Sequence, residues 1–349
     1  MQHFLKTTLV VGAFALTLGM AQAQDLAPLN SDSEADRMDW SELDAKFGAL
    51  PAPAAGTKVG GVSKTLTNEY WRSLGQGYQN VADKLGLEFV YQAAQNEGDQ
   101  LGQLSTAENL ISQGFAALLF SPQTDANLIP AVEKAKAAGI PVLNVNDAVI
   151  PSAENYVGNV QKGNGVNVAQ WFIDNRADGG KVAVIEGQPG VYAAGQRTAG
   201  FTETINASGK FEVVASVPAN WSREEAFNAA STILQQYPDL IGFYANNDGM
   251  ALGVVEAVKA AGKADSVAVF GTDGVSDAYA AIKAGDLTGT VDSFPVLTGE
   301  IAMEVALRLL AGQDLPRVVA TPQALITKDN VETYATSDIA ALRAALLAK

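Results

Sequence analysis

Residues 124–139 read TDANLIPAVEKAKAAG, and residues 247–262 read NDGMALGVVEAVKAAG. Asp125, Val132, Glu133, Lys136, Ala137, Ala138 and Gly139 of the first stretch recur as Asp248, Val255, Glu256, Lys259, Ala260, Ala261 and Gly262 of the second, all at an offset of 123 residues. Each copy has a helical pattern and follows a short apolar run, AALLFS (116–121) or IGFYAN (241–246). Each is followed by another apolar run that ends at an aspartate, Asp147 or Asp273. Strand, helix and strand in that order form the unit of a parallel sheet with its crossover helix, and meeting the unit twice implies two homologous lobes.

The alternation continues on both sides of the repeat. Further strand candidates are KVGGVS (58–63), LEFVYQA (87–93), PVLNVN (141–146), KVAVIEG (181–187), FEVVASV (211–217), VAVFGT (267–272) and LTGTVD (287–292), with amphipathic stretches such as EYWRSLGQGYQNVADKLG (69–86) between them. The expected fold is α/β, with two similar doubly wound parallel-sheet lobes. In such sheets ligands bind beyond the carboxyl ends of the strands. That criterion selects 64–68, 121–125, Asn146 and Asp147, 188–197, 246–248, Asp273, and Asp292 with Ser293.

The chain starts with a secretory pattern: Lys6, an apolar core from Leu9 to Met20, and the small-x-small triplet Ala21-Gln22-Ala23. Cleavage after Ala23 removes 23 of the 349 residues and leaves 326, more than the roughly 250–300 at which single cores split into domains. Residues 24–57, acidic and then Pro/Ala-rich, read as a solvated extension and linker, with a short amphipathic helix around 40–47. An apolar run shorter than the roughly 20 residues needed to cross a bilayer makes the signal a poor anchor.

Composition removes several function classes. A net charge of −15 repels nucleic-acid phosphates. There is no cysteine, so disulfides, a thiolate nucleophile and a lipid-modified anchoring cysteine are all excluded. The single histidine, His3, leaves with the signal, which removes the commonest general base and metal ligand. No metal and no cofactor is expected. The glycines around Gly187 and Gly190 fit neither the dinucleotide nor the P-loop spacing, and GGVSKT lacks the glycine that precedes a P-loop lysine. The segment 174–180, DNRADGG, lacks the ligand series of a calcium loop and reads as a surface turn.

The remaining candidates suit a polyhydroxylated ligand. In TNEYW, Tyr70 and Trp71 offer ring faces to the C–H face of a sugar, and Asn68 offers a donor and an acceptor. Arg197 presents a planar fork for two oxygens, and Trp221 would stack from the opposite side. Asn247 and Asp273 supply acceptors for paired hydroxyls, whereas Asp248 reads as a helix cap. The aspartates Asp147, Asp273 and Asp292 also admit a glycoside-hydrolase reading, although no spacing assigns acid and base roles. A repressor of the same core fold would need a basic helix-turn-helix at the start, where this chain has a signal and an acidic stretch.

From residue 58 to about 334, TNEYW, GQRTAGF, ANNDGMALG and GTDG occur in an order that resembles the ribose-binding-like group of periplasmic sugar-binding proteins of ABC importers. The resemblance implies ligand contacts at Lys64, Asn68, Tyr70, Trp71, Arg197, Trp221, Asn247, Asp273 and Ser293. The family's Asp-Arg pair is here Asn146-Asp147, and its hinge Gln is Ser293 beside Asp292; both departures point away from ribose, towards another pentose, a hexose or a linear polyol. It further implies a hinge crossed three times, near Asn159, Ser293 and Pro322. The lobes would then be 58–159 with 294–322, and 160–293 with 323–349, closing on a cleft between them. The expected protein is a periplasmic monomer, not lipid-anchored, that hands a neutral sugar or sugar alcohol to a membrane permease. A module that presents the sugar to a signalling receptor would use the same cleft.

Overall fold

The computed structural model describes residues 26–348; the expected signal, residues 1–23, lies outside them. Two sheets carry the chain. The first contains, from one edge to the other, β1 (Arg37–Asp39), β12 (Val318–Ala320), β6 (Asn155–Gly158), β5 (Val142–Val145), β4 (Ala117–Phe120), β2 (Lys58–Ser63) and β3 (Glu88–Ala93), all parallel. The second runs β13 (Ala324–Thr327), β11 (Gly289–Asp292), β10 (Ala268–Asp273), β9 (Leu240–Ala245), β7 (Gly180–Glu186) and β8 (Phe211–Pro218), with only β13 antiparallel.

Helices cover both faces of each sheet, so a central strand such as β4 is buried along its whole length, as parallel sheets require. The first lobe carries α2 (Glu69–Leu85), α3 (Gln100–Ile111), α4 (Ile129–Ala137) and α10 (Pro295–Leu310). The second carries α5 (Gln161–Asn175), α6 (Tyr192–Ala207), α7 (Arg223–Gln236), α8 (Asp248–Ala260), α9 (Ser276–Ala284) and α11 (Val331–Tyr334). Local chemistry sets their ends. Helix α2 begins where the Asn68 side chain accepts from Tyr70 N–H and stops where Gly86 takes the left-handed conformation. The chain passes from one sheet to the other between β6 and α5, between β11 and α10, and between β12 and β13.

One expectation about the N-terminal segment is corrected. Residues 26–47 dock on the first lobe instead of forming a solvated extension: β1 is the edge strand of the first sheet, and Leu29, Met38, Trp40 and Leu43 are buried, whereas 48–57 stay largely exposed. Acidity concealed the apolar residues that dock there, and the short helix is a 3₁₀ turn, Trp40–Glu42, leading into α1 (Leu43–Phe47). The final helix, α12 (Ile339–Leu347), expected within the second lobe, touches α11 of that lobe and also reaches the first. It packs on α10, where Arg343 pairs with Glu300 and Glu304 and lies 5.6 Å over the Trp40 ring. Residues 44–48 meet α10 as well, where buried Arg308 bonds Asp44 and the Gly48 carbonyl. Among the described residues, no helix is long and apolar enough to cross a membrane.

Candidate functional site

The carboxyl ends of the two sheets face each other, and there a small cavity of about 20 Å³ is lined by Asn68, Tyr70, Trp71, Glu97, Asn146, Asp147, Arg197, Trp221, Asn247 and Asp273. Nine of these are among the eleven residues singled out from the sequence. The other two, Lys64 and Ser293, are buried behind the wall. Lys64 follows β2 and bonds the Asp147 carboxylate. Ser293 sits after β11, with its hydroxyl 3.5 Å from the Asp273 carbonyl.

The backbone is strained where it presents these groups. Asn146, Asp147, Trp221 and Asp273 all have positive φ, at 41°, 65°, 64° and 142°. Non-glycine residues hold such angles only where surrounding contacts over-determine them. Asn146 illustrates this: its amide donates to the Tyr70 hydroxyl, and its Oδ1 accepts from Gln161 Nε2 at 2.7 Å. Gly187, part of the glycine-rich stretch, serves packing here, because a Cβ at that position would collide with the Trp221 ring.

Charges are arranged in a chain through the site. Arg197 is held by Gln161 Oε1 at 2.9 Å and the Asn246 carbonyl at 2.7 Å, and reaches 3.5 Å from Asp147 and 3.8 Å from Asp273. Its guanidinium thus joins a first-lobe and a second-lobe carboxylate. Burial pushes the Asp147 pKa up, but Lys64 and Arg197 outweigh it and hold the group below its ordinary value. For Asp273 burial wins, with Arg197 opposing and Asp248, Asp147 and Glu97 adding to the rise. The ammonium of Lys64 lies 5.5 Å from the Trp71 ring and 5.4 Å from the Trp221 ring, so both rings carry a cation. Two buried polar atoms at the cavity, Asp147 Oδ1 and Trp221 Nε1, have no hydrogen-bond partner in the protein.

Asp248, read as a cap, has a different role. Asn247 is the N-cap of α8, accepting from Met250 N–H at 2.8 Å. Asp248 is fully buried and accepts from Gly274 N–H, Val275 N–H and the Thr290 hydroxyl at 2.8, 3.1 and 2.6 Å. Glu97 escaped the sequence reading. It follows β3, and the rule that selected the other strand ends also points to it.

Residues 59–314 match the periplasmic binding protein domain. The D-allose-binding periplasmic protein of Escherichia coli K12 is 34% identical over 253 residues, covering 70% of this chain and 81% of that protein. The ribose import binding protein of Bacillus subtilis is 35% identical, covering 76% and 85%. A crystal structure of an ABC transporter periplasmic solute-binding protein from Actinobacillus succinogenes with bound D-allose superposes with a TM-score of 0.76 at 32% identity, covering 80% of this chain and all of that one. With a strained, two-sided cavity between parallel-sheet lobes and these relatives, the chain belongs to the periplasmic binding proteins, in the ribose-binding-like group of ABC sugar importers.

Proposed function

We propose that the exported chain captures a neutral sugar or sugar alcohol by closing its lobes and delivers it to an ABC-type permease, without turning it over. The observation that carries this reading is the convergence of Asn68, Tyr70, Trp71, Asn146 and Asp147 from one lobe with Arg197, Trp221, Asn247 and Asp273 from the other on one cavity. A bound polyol links both walls and therefore favours the closed arrangement. Its hydroxyls donate to carboxylates and accept from Arg197, charge-assisted contacts that are stronger than neutral ones. The unpartnered Trp221 N–H provides one further donor, and Asp147 Oδ1, which only the Arg197 guanidinium approaches at 3.5 Å, one further acceptor.

Signal cleavage after Ala23, a freely diffusing periplasmic monomer and lobes divided near Asn159, Ser293 and Pro322 complete the proposal. Alignment of the chain with sugar-binding relatives over most of its length supports it. Mass spectrometry of ligand released from protein purified without refolding tests it, together with thermal shifts against D-allose, D-ribose, xylitol and myo-inositol. One bound polyol per chain is expected. No released ligand and no shift with any probe would refute the reading.

A further inference from the structure

We propose that residues 29–36 form a strap that holds the cleft closed, with Tyr192 as its catch on the second lobe. The inference rests on the proposed function, because a strap matters to binding only if the lobes close on a ligand. The segment precedes the matched domain, residues 59–314, and lies outside it.

The strap is fastened to the first lobe at both ends. Just beyond it β1 pairs with β12, and Arg317, ahead of β12, pairs with Glu34 at 2.8 Å and donates its N–H to Asp36 at 3.1 Å. Leu29 N–H donates to the Pro151 carbonyl at 2.9 Å, and its side chain is buried in the apolar cluster that contains Leu128, Val149 and Ile150. Between these anchors Arg37 Nη1 donates to the carbonyls of Ser31 and Asp32 at 3.3 and 2.9 Å.

From this frame the strap reaches the starts of two second-lobe helices. Asp32 accepts from Gln161 N–H and Lys162 N–H at 3.1 and 2.8 Å, in the first turn of α5. Tyr192, the first residue of α6, donates its hydroxyl to Asn30 Oδ1 at 2.7 Å and accepts from Asp32 N–H at 3.3 Å. Its own N–H goes to Asp125, and its ring packs against the cluster that buries Leu29. The first lobe thus grips one second-lobe residue by backbone, ring and hydroxyl. Both helices lead to the ligand site, where Gln161 Oε1 of α5 accepts from Arg197 Nε of α6 at 2.9 Å. Asp32, beside the crossing between β6 and α5, serves as the pivot. Tyr192, beyond the carboxyl end of β7, serves as the catch, and its bond to Asn30 lasts only while the lobes are together.

Tyr192→Phe tests this, since it deletes the hydroxyl and keeps the ring. Titration calorimetry of the full chain, with whichever of D-allose, D-ribose, xylitol and myo-inositol binds wild type, should find affinity about fivefold weaker, the worth of one net hydrogen bond. The urea midpoint of the ligand-free chain should stay nearly unchanged. Asn30→Ala should weaken binding as well, and the double variant should lose less than the sum of the two, because both act on one contact. Small-angle scattering should find ligand-free Tyr192→Phe more open than wild type. Wild-type affinity in Tyr192→Phe, losses that add in full, or an identical scattering profile would each overturn the strap. A lower urea midpoint with unchanged affinity would make the segment a structural brace only. If no polyol binds wild type, the proposed function fails, and the scattering comparison alone decides whether the strap holds the lobes together.

Discussion

Asp125 and Asp248 occupy the same place in the two lobes, 123 residues apart, yet they face in different directions. Both accept the N–H of the valine that lies two residues beyond the aspartate ending the next strand, Val149 at 3.0 Å and Val275 at 3.1 Å. The remaining capacity of Asp248 goes to its own lobe, on Gly274 and Thr290. Asp125 instead reaches out of its lobe to Tyr192 N–H, the first residue of α6, at 3.2 Å. The same asymmetry recurs. Helices α5, α6 and α9 begin on Val160, Val191 and Val275, which cannot cap them. Their first N–H groups are taken by Asp32, Asp125 and Glu69, all on the first-lobe side. Helices α2 and α3 of the first lobe start on Asn68 and Asp99, which cap them, as Ser222 and Asn247 cap α7 and α8 of the second, and α4 starts on Leu128 with no side-chain cap; what is one-sided is the borrowing across the cleft. The first lobe therefore completes the second, while the buried acids of the second lobe hold its own loops.

The largest effect expected concerns those inward-facing acids. Burial pushes Asp248 up to about 6 and Asp292 up to about 8, although each accepts several hydrogen bonds. With both raised above the unfolded value, the folded protein holds more protons than the unfolded chain between about pH 4 and pH 8. Stability is then greatest at the acid end of that window and falls as pH rises, by up to about 1.4 kcal/mol per pH unit for each group. Asp292→Asn should flatten the limb from about pH 6 to pH 8, because its amide can still accept from Phe294 N–H while donating to Tyr279. Urea unfolding across that range measures it; an unchanged slope would place the inward protons elsewhere. Next in size, Arg197→Ala removes the group that joins Asp147 to Asp273 and leaves both buried carboxylates short of a partner. Ligand affinity should fall by about 2 kcal/mol or more, roughly thirtyfold. Calorimetry that returned wild-type affinity would detach the charge chain from binding.

How much of this was legible depended on length and pattern. The nine strands of four residues or more that carry apolar runs were readable, and so was the repeat that makes the lobes alike. Strands β6, β12 and β13 were not read; β6 and β13 are as long as β4 and β5, but each stands alone between polar and proline residues instead of in a longer apolar run. At the site, position after a strand end located most of the wall. The reach of an acid across the cleft left no trace: Asp125 and Asp248 sit in nearly the same local sequence, and only tertiary contacts separate their roles. The N-terminal segment was misjudged for the same reason, because Met38, Trp40 and Leu43 acquire meaning only beside α10 and α12.

Asp32 tests the borrowed caps where two N–H groups depend on one side chain, at 3.1 and 2.8 Å. Asp32→Ala should cost about 1–2 kcal/mol in urea unfolding, whereas Asp32→Asn should keep most of the cap. Giving α5 its own cap with Val160→Asn should make the Asp32→Ala loss smaller, since the two then supply the same helix start. Strict additivity of the two substitutions would show that Asp32 acts by packing instead.

The smallest effect, and the one that separates folding from closing, is expected at Glu69. Its two carboxylate oxygens accept from the backbone and hydroxyl of Ser276 at 3.1 and 2.8 Å, joining the start of α2 to the start of α9 across the cleft. Asp32 lies beside the passage between β6 and α5, where lobe rotation moves atoms least, so its cap should survive opening. The contact from Glu69 lies between helices carried by different lobes and exists only while they are together. Glu69→Ala should therefore leave unfolding of the ligand-free chain within about 0.5 kcal/mol of wild type and weaken ligand affinity about threefold, the value of one exposed cap. Small-angle scattering should find the ligand-free variant more open than wild type. If unfolding suffers and affinity does not, the bond belongs to the fold, and the first lobe's acids hold structure without governing closure.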